Sequence, residues 1–288
     1  MHRLPDCVPV SVPPETLWTL ALERSQLAED QGFLVPLATE QLETTQPPFV
    51  LRRLLSRTPK HLRAGGPKPN PFLPWEPGLE VCRLGSSHVL LLNKYPVQRG
   101  HLLVITAHWK PQSGWLEAAD WDAVMQVNRD TTGLWFFNSS AAAGASQPHR
   151  HLQLLPRGQG EPACPMEPVL DSLISGRQDA APMPWAHALT ARRDPHDAEE
   201  LAWIVADQAR SLDLGSPISD PQPRWPYNLL FTDRWVLTVR RTREHWAGFS
   251  VNALGFAGYL LATEASDLSW LAQRGPWQLL AAVAEPCR

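Results

Sequence analysis

The chain has 288 residues, of which 43% are hydrophobic and 19% are charged, a composition typical of a globular protein with a substantial core. Its 26 lysines and arginines against 29 aspartates and glutamates give a formal net charge of -3, which argues against binding to long nucleic acid through the phosphate backbone. No apolar run has the length of a membrane span or of a secretory signal, so we expect a cytoplasmic protein with no membrane partner.

The predicted elements mix helices and short strands without the regular helix–strand repeat of a parallel sheet. In chain order we expect a helix near 13–28, strands at 79–84, 88–92 and 101–106, a helix at 116–131, strands at 134–138 and 149–155, a short helix at 169–174, a helix near 201–209, a hairpin of 228–232 and 235–240, and helices from 254 onwards. Stretches rich in proline and glycine at 58–74 and 158–184 are expected to be loops. The pattern predicts an α+β fold with antiparallel strands.

The segment HRHLQLL, which begins at residue 149, carries the strongest chemical signal. In a strand, His149, His151 and Gln153 share one face, whereas Leu152 and Leu154 lie on the other and indicate packing on a core. Two imidazoles and an amide on one face cost free energy if they are buried without partners, so this face predicts a site.

Spacing alone leaves three uses for the two histidines: a nucleophile towards phosphorus, a metal ligand, or a purely structural role. The preceding loop GASQ, residues 144–147, offers small residues and amides that can approach a phosphate closely. No motif of a dinucleotide-binding fold, a P-loop or a serine hydrolase is present, and the four cysteines lack the spacing of a metal cage. A covalent phosphoryl or nucleotidyl transfer is therefore the natural reaction class.

Residues 147–153, QPHRHLQ, resemble the HxHxQ motif in the transferase branch of the histidine triad superfamily, and above all that of the diadenosine tetraphosphate (Ap4A) phosphorylases, also called ATP adenylyltransferases. Further blocks resemble that family in the same order, at residues 68–74, 92–96, 101–106, 144–147 and 227–232. The resemblance implies a histidine-triad-like antiparallel sheet with flanking helices, in the extended form shared with galactose-1-phosphate uridylyltransferase. It also implies a catalytic N-terminal region, 1–165, and a C-terminal region, 166–288, that completes the nucleotide site.

Carried over by motif position, His151 is the expected nucleophile, which takes AMP from the α-phosphate. His149 is expected to orient or polarise it, and Gln153 to donate a hydrogen bond to a nonbridging oxygen of that phosphate. The resemblance also points to substrate-binding residues in the N-terminal half: Lys60, Asn93, Lys94, Asn138, Gly144, Ala145, Ser146 and Gln147. From the C-terminal half we expect Asn228, Thr232, Arg240 and Arg241 to close the site, with an arginine gripping a terminal phosphate. Isolated histidines such as His101 are expected to be structural.

The implied reaction is reversible: Ap4A and phosphate give ATP and ADP through an adenylyl-histidine intermediate. Expected ligands are small-molecule nucleotides and phosphate, with no metal site and no permanent cofactor. Mg²⁺ is expected only as a companion of the polyphosphate, because no carboxylate pair is dedicated to it. A hydrolase of the same nucleotides, a sugar-nucleotide uridylyltransferase and a non-catalytic nucleotide-binding protein stay open as alternatives. The sequence indicates no oligomeric state.

Overall fold

The computed structural model describes residues 15–43, 46–56, 70–158, 160–177 and 183–287. Within these ranges the helices are α1 (Thr16–Asp30), α2 (Ala118–Asn128), α3 (Glu167–Ile174), α4 (Ala198–Ser211), α5 (Ala253–Phe256) and α6 (Leu268–Val283). The strands are β1 (Thr39–Leu42), β2 (Val50–Leu54), β3 (Glu80–Leu84), β4 (His88–Leu92), β5 (Leu102–Thr106), β6 (Gly133–Asn138), β7 (His151–Pro156), β8 (His187–Ala191), β9 (Tyr227–Phe231), β10 (Trp235–Arg240), β11 (His245–Trp246), β12 (Phe249–Ser250) and β13 (Tyr259–Ala262).

Local sequence explains where the two long helices under the main sheet begin. The carboxylate of Asp197 accepts hydrogen bonds from the backbone N–H groups of Glu199 and Glu200 and so caps α4. At the start of α2, Glu117 and Asp120 form a reciprocal capping box. Both helices therefore begin at acidic residues that satisfy backbone donors.

The main sheet has eight strands in the order β3-β4-β5-β7-β6-β9-β10-β8, and every pair in it is antiparallel. The expected α+β class with an antiparallel sheet is confirmed. Strand β7 lies in the middle of the sheet, and Gln153 pairs with Leu103 on one side and Phe136 on the other. The pairing of β6 with β9 joins the two halves of the chain in one sheet.

The two faces of this sheet pack against different cores. Leu152 and Leu154 are fully buried in the cluster that includes residues of α1, α2 and α4. Phe136 and Leu230 belong to a second cluster, with residues of α3, α5 and α6, on the opposite face. Because side chains alternate along a strand, Gln153 lies on the same face as its partner Phe136, away from Leu152.

A second, three-stranded sheet was not predicted. It has the order β1-β2-β13, and β13 runs parallel to β2. We expected helices throughout 254–288, but β13 interrupts them because its four residues pair with a strand about two hundred residues earlier in the chain. Strand β8, at the edge of the main sheet, was also missed.

Within the described ranges, no helix is long and apolar enough to cross a membrane. The same part of the chain contains no group of three or more histidine, cysteine, aspartate or glutamate side chains that could hold a metal ion.

Candidate active site

A cavity of about 1410 Å³ opens on the face of the main sheet that carries Gln153. Residues from both halves of the chain line it. From the N-terminal half these include Arg52, Asn93, His101, Asn138, Gly144, Ala145, Ser146 and Gln153, and from the C-terminal half Asn252 and Tyr259. The cavity thus brings together six of the predicted site residues: Asn93, Asn138, Gly144, Ala145, Ser146 and Gln153.

His151 begins β7, two residues before Gln153, and is only 3% exposed. Its Nδ1 lies 2.7 Å from the backbone oxygen of His149, so Nδ1 carries the proton and donates to that carbonyl. Burial lowers the pKa of this imidazole to about 4, which leaves it neutral at pH 7. Within the described residues Nε2 has no hydrogen-bond partner, so its lone pair is available for attack.

The ring of His149 has different partners and is held on both sides. Asn70 accepts the backbone N–H of Phe72 through Oδ1, so its amide nitrogen donates to His149 Nδ1 at 3.0 Å. Nε2 of His149 then donates to the backbone oxygen of Thr106, 2.9 Å away. The backbone carbonyl of His149, rather than its ring, orients His151.

Aromatic rings pack around the two histidines. The ring centroid of Phe72 lies 5.6 Å from that of His149 and 5.5 Å from that of His151. Trp109, which is 53% exposed, lies against the outer side of the His149 ring. His151 is not among the residues that line the cavity, whereas Gln153, two residues further along β7, is one of them.

Gln112 clamps the start of β7 to the end of β6. Its amide nitrogen donates to the backbone oxygens of Asn138 and His151, at 2.8 and 3.1 Å, and its amide oxygen accepts from the backbone N–H of His151 at 2.8 Å. All three bonds are buried. Gln112 was not among the predicted residues, because a single glutamine in a loop carries no spacing signal.

The loop that follows β6 takes its shape from Gly144. This residue has a φ of 87°, a left-handed conformation that glycine adopts without strain. A Cβ atom there would lie 2.6 Å from Cβ and 2.7 Å from Cα of Asn252. The loop therefore approaches the segment before α5 more closely than any larger residue allows. Next to it, Gln147 is 7% exposed and its Oε1 is buried without a partner among the described residues.

A series of hydrogen-bonded polar side chains joins this loop to the C-terminal half. Asn138 accepts hydrogen bonds through Oδ1 from Asn228 Nδ2 and from the backbone N–H of Ala253, at 2.8 and 2.9 Å. Asn228 Nδ2 also donates to the backbone oxygen of Ala143. Since Asn138 Nδ2 has no partner among the described residues, it is a free donor at the cavity wall.

Arg241 lies behind these hydrogen-bonded side chains and not in the cavity. The guanidinium is fully buried and donates to Asn228 Oδ1 and to the backbone oxygens of Val283, Ala143, Arg243 and Val251. Burial lowers the pKa of Arg241 to about 9. With its donors occupied, Arg241 cannot grip a phosphate, and we correct that expectation: it stabilises the loop from behind.

The structure does not bring Arg240, Lys94 or Thr232 into the cavity. Arg240 packs over the ring of Trp225 and donates to the backbone oxygen of Leu212, on the opposite face of β10 from Arg241. Thr232 accepts from the backbone N–H of Arg234 in the β9–β10 turn, at the far end of β9 from Asn228. Both expectations are corrected, because strand alternation and strand length carry these side chains away from the site. Lys94 is exposed beside Tyr95, outside the cavity lining, and Lys60 lies outside the described residues.

Behind the site, Arg150 anchors the histidine segment from the opposite face of the sheet. It is 2% exposed, and its NH1 lies 3.0 Å from Asp120 Oδ2. The other carboxylate oxygen of Asp120 lies 2.9 Å from His88 Nε2. These contacts lower the pKa of Asp120 although burial raises it, so the carboxylate is ionised and paired with Arg150.

His101 has a place in the cavity that sequence analysis did not predict. Its Nε2 lies 3.0 Å from Gln153 Oε1 and its Nδ1 lies 3.0 Å from Asn93 Nδ2. The available signal was the position of His101 at the start of the predicted strand 101–106, but no sequence pattern shows which strand lies next to it.

Comparison with known proteins identifies the family. Residues 8–172 match the model of the Ap4A phosphorylase N-terminal domain, and residues 181–286 match that of the ATP adenylyltransferase C-terminal domain. Protein APA1 of Saccharomyces cerevisiae is 25% identical over 285 residues, which cover 86% of this chain and 87% of that protein. Diadenosine 5',5'''-P1,P4-tetraphosphate phosphorylase 2 of the same yeast is 26% identical over 216 residues, which cover 64% of this chain and 65% of that protein.

Solved structures agree with this match at the level of the fold. Yeast Ap4A phosphorylase Apa2 in complex with AMP has a TM-score of 0.72 at 21% identity and covers 96% of this chain and 98% of that one. The same enzyme in complex with Ap4A has a TM-score of 0.72 at 20% identity, with coverage of 96% and 99%. Since the two family models follow one another along nearly the whole chain, the protein belongs to the family of Ap4A phosphorylases and ATP adenylyltransferases.

Proposed function

We propose that this protein transfers the AMP group of Ap4A to inorganic phosphate through a covalent intermediate on His151. The family match supports the activity, and the cavity supports the roles of individual residues. The observation that carries the assignment to His151 is its hydrogen bonding: Nδ1 lies 2.7 Å from the backbone oxygen of His149, which leaves Nε2 without a partner among the described residues.

In the first displacement, Nε2 of His151 attacks the α-phosphorus of Ap4A. The bond from that phosphorus to the bridging oxygen breaks, ATP leaves with the bonding electron pair, and an adenylyl-histidine phosphoramidate forms. The proton stays on Nδ1, which donates a hydrogen bond to the backbone oxygen of His149, and this bond stabilises the positive charge that develops on the ring.

In the second displacement, an oxygen of inorganic phosphate attacks the same phosphorus from the side that ATP has left. The bond between phosphorus and Nε2 breaks, ADP leaves, and the imidazole returns to its neutral form. The sum is Ap4A and phosphate giving ATP and ADP, and each step exchanges one activated bond for another, so the reaction can run in both directions.

Donors around the cavity support a role in holding the transferred phosphate. The side-chain amides of Gln153 and Asn138 line the cavity together with Ser146, and amide and hydroxyl donors suit phosphate oxygens. The backbone N–H groups of Gly144 and Ala145 already donate within the loop, to the backbone oxygens of Ala141 and Ser140, so they shape the loop. Gln153 has no titratable proton and cannot act as a general base for water. This favours phosphate over water as the acceptor. Mg²⁺ enters the proposal only as a companion of the polyphosphate.

Product analysis of Ap4A turnover with and without inorganic phosphate tests the reaction. We expect equal amounts of ATP and ADP, formed only when phosphate is present. ATP and AMP formed without phosphate would instead show a hydrolase, and turnover of UDP-glucose in place of Ap4A would show a uridylyltransferase.

Trapping of the intermediate tests His151. Incubation with Ap4A labelled in the adenosine, without phosphate, followed by denaturation at alkaline pH, should leave label on the protein. His151→Ala should abolish the label, whereas His196→Ala, which changes a histidine outside the cavity lining, should keep it. Label that persists in His151→Ala would reject the assignment, and an unlabelled native protein that still binds Ap4A would identify a binding protein.

A further inference from the structure

His101 is a buried titratable group at the cavity that the proposed reaction does not use. It is 8% exposed and packs against the ring of Phe136. Two side-chain amides flank it, with Asn93 on Nδ1 and Gln153 on Nε2, each at 3.0 Å. The three side chains form a single row along the cavity wall, from Asn93 in the β4–β5 connection to Gln153 in β7.

The direction of every hydrogen bond in this row follows from one backbone donor. The N–H of Tyr95 donates to Oδ1 of Asn93 at 3.0 Å, so the amide nitrogen of Asn93 faces His101. An amide nitrogen only donates, and Nδ1 of His101 must therefore accept. The neutral imidazole then carries its proton on Nε2 and donates it to Oε1 of Gln153.

The ionisation of His101 agrees with this direction. Burial lowers the pKa of the imidazole to about 4, so at pH 7 the ring has one proton only. A doubly protonated ring would place an N–H against the amide nitrogen of Asn93, where two donors would face each other.

We propose that His101 is a positioning residue for the transfer reaction, which holds the amide of Gln153 with its oxygen inward and its NH₂ group towards the phosphate of the substrate. The inference rests on the proposed function and adds a residue to it. His101 acts through Gln153, and Asn93 in turn fixes the tautomer of His101.

Orientation matters because the two ends of a glutamine amide have the same shape and opposite hydrogen-bonding character. Rotation about the last side-chain bond is nearly two-fold, so an unrestrained Gln153 can present either end to the cavity. The NH₂ end stabilises the charge on the phosphate oxygens in the transition state, whereas the carbonyl end repels it. A fixed donor also avoids the cost of reorienting the amide during the reaction.

Two substitutions at position 101 separate positioning from structural support. His101→Gln places an amide nitrogen near the position of Nε2 and keeps a donor for Gln153, whereas His101→Leu has a similar volume and no donor. We expect kcat for phosphorolysis to fall about 10-fold or more in His101→Leu and to stay within about 3-fold of the native value in His101→Gln. KM should change less than kcat in His101→Leu, because the oriented donor acts mainly on the transition state.

A double-mutant cycle shows whether the effect passes through Gln153. In a Gln153→Ala background, His101→Leu should cause no further loss of kcat, because the amide that it orients is gone. Equal losses in both backgrounds would reject the proposal and leave His101 with a structural role. A His101→Leu variant that keeps native kcat would reject it as well.

The native protein provides the reference that separates the two proposals. If it forms adenylyl-protein and converts Ap4A with phosphate, a failure in the His101 series counts against the positioning role alone. If the native protein does neither, the proposed function fails first.

Discussion

Replacing Gly144 with alanine tests whether the loop after β6 must approach the C-terminal half as closely as the structure has it. At a φ of 87° an L-residue costs about 1–2 kcal/mol relative to glycine. The added Cβ would meet Asn252 Cβ at 2.6 Å, about 1 Å inside the usual separation of two carbons, and overpacking of this kind costs about 1–3 kcal/mol. Together the two effects should lower the unfolding free energy by about 2–5 kcal/mol and displace the loop at the cavity wall.

Gly32→Ala is the matched control, because Gly32 has a φ of 76° and nothing lies within 4 Å of the position that a Cβ atom would take there. Urea unfolding should show a loss of about 1–2 kcal/mol for Gly32→Ala and a larger loss for Gly144→Ala. Phosphate-dependent formation of ATP and ADP should fall about 100-fold in Gly144→Ala only, as expected for a displacement of about 1 Å in a catalytic geometry. Equal stability losses with native turnover in both variants would refute the close-contact argument.

Three further predictions concern groups that support the histidine segment. Arg150→Met should lower the unfolding free energy by about 3–5 kcal/mol, because it leaves the buried carboxylate of Asp120 without its cation. In urea unfolding, the double substitution Arg150→Met with Asp120→Asn should recover part of that loss. No recovery would contradict the pairing. Gln112→Leu should lower the unfolding free energy by about 1–3 kcal/mol for each buried group that it leaves unpaired, and it should also lower kcat. A variant with native kcat would show that the hydrogen bonds from Gln112 to the backbone of His151 are dispensable. The neutral, buried imidazoles of His101 and His151 have pKa values lowered from 6.5 to about 4, so the unfolded chain takes up protons that the folded protein does not. Stability should therefore be unaffected by these two rings above pH 6.5 and fall as the pH drops from 6.5 towards 4, by up to about 3 kcal/mol for each ring, and His101→Gln should make the fall in a series of melts less steep.

The strands of the main sheet other than β8 were predictable because they carry local signals. Leu152 and Leu154 alternate with polar residues, and this pattern alone placed Gln153 on the face that carries the cavity. Strand β13 was not predictable in the same way. It has four residues, lies between two helices, and exists because it pairs with β2, a contact that no local pattern encodes.

For the site, the sequence indicated the residues of the motif but not the contacts that decide their roles. Arg240 and Arg241 were grouped as candidate phosphate ligands, yet Arg240 ends β10 and Arg241 follows it in a bridge to Ala284, where the backbone is still extended. Consecutive side chains of extended backbone face opposite sides, so the two could not both reach the cavity. His101 was assigned a structural role because its partners are not adjacent to it in sequence: Asn93 lies at the start of the β4–β5 connection and Gln153 lies in β7. Alternation along the backbone decided the first case, and the pairing of β5 with β7 decided the second.

The protonation states of the three histidines follow from one design principle, in which backbone groups set the tautomers. His151 donates to the carbonyl of His149, and His149 donates to the carbonyl of Thr106. His101 takes its tautomer from the N–H of Tyr95 through Asn93. Backbone donors and acceptors do not titrate, so these assignments hold over the pH range in which the rings stay neutral. A site built in this way keeps a lone pair on the nucleophile and a donor on Gln153 without relying on a carboxylate, and a carboxylate would repel the phosphates of the substrate.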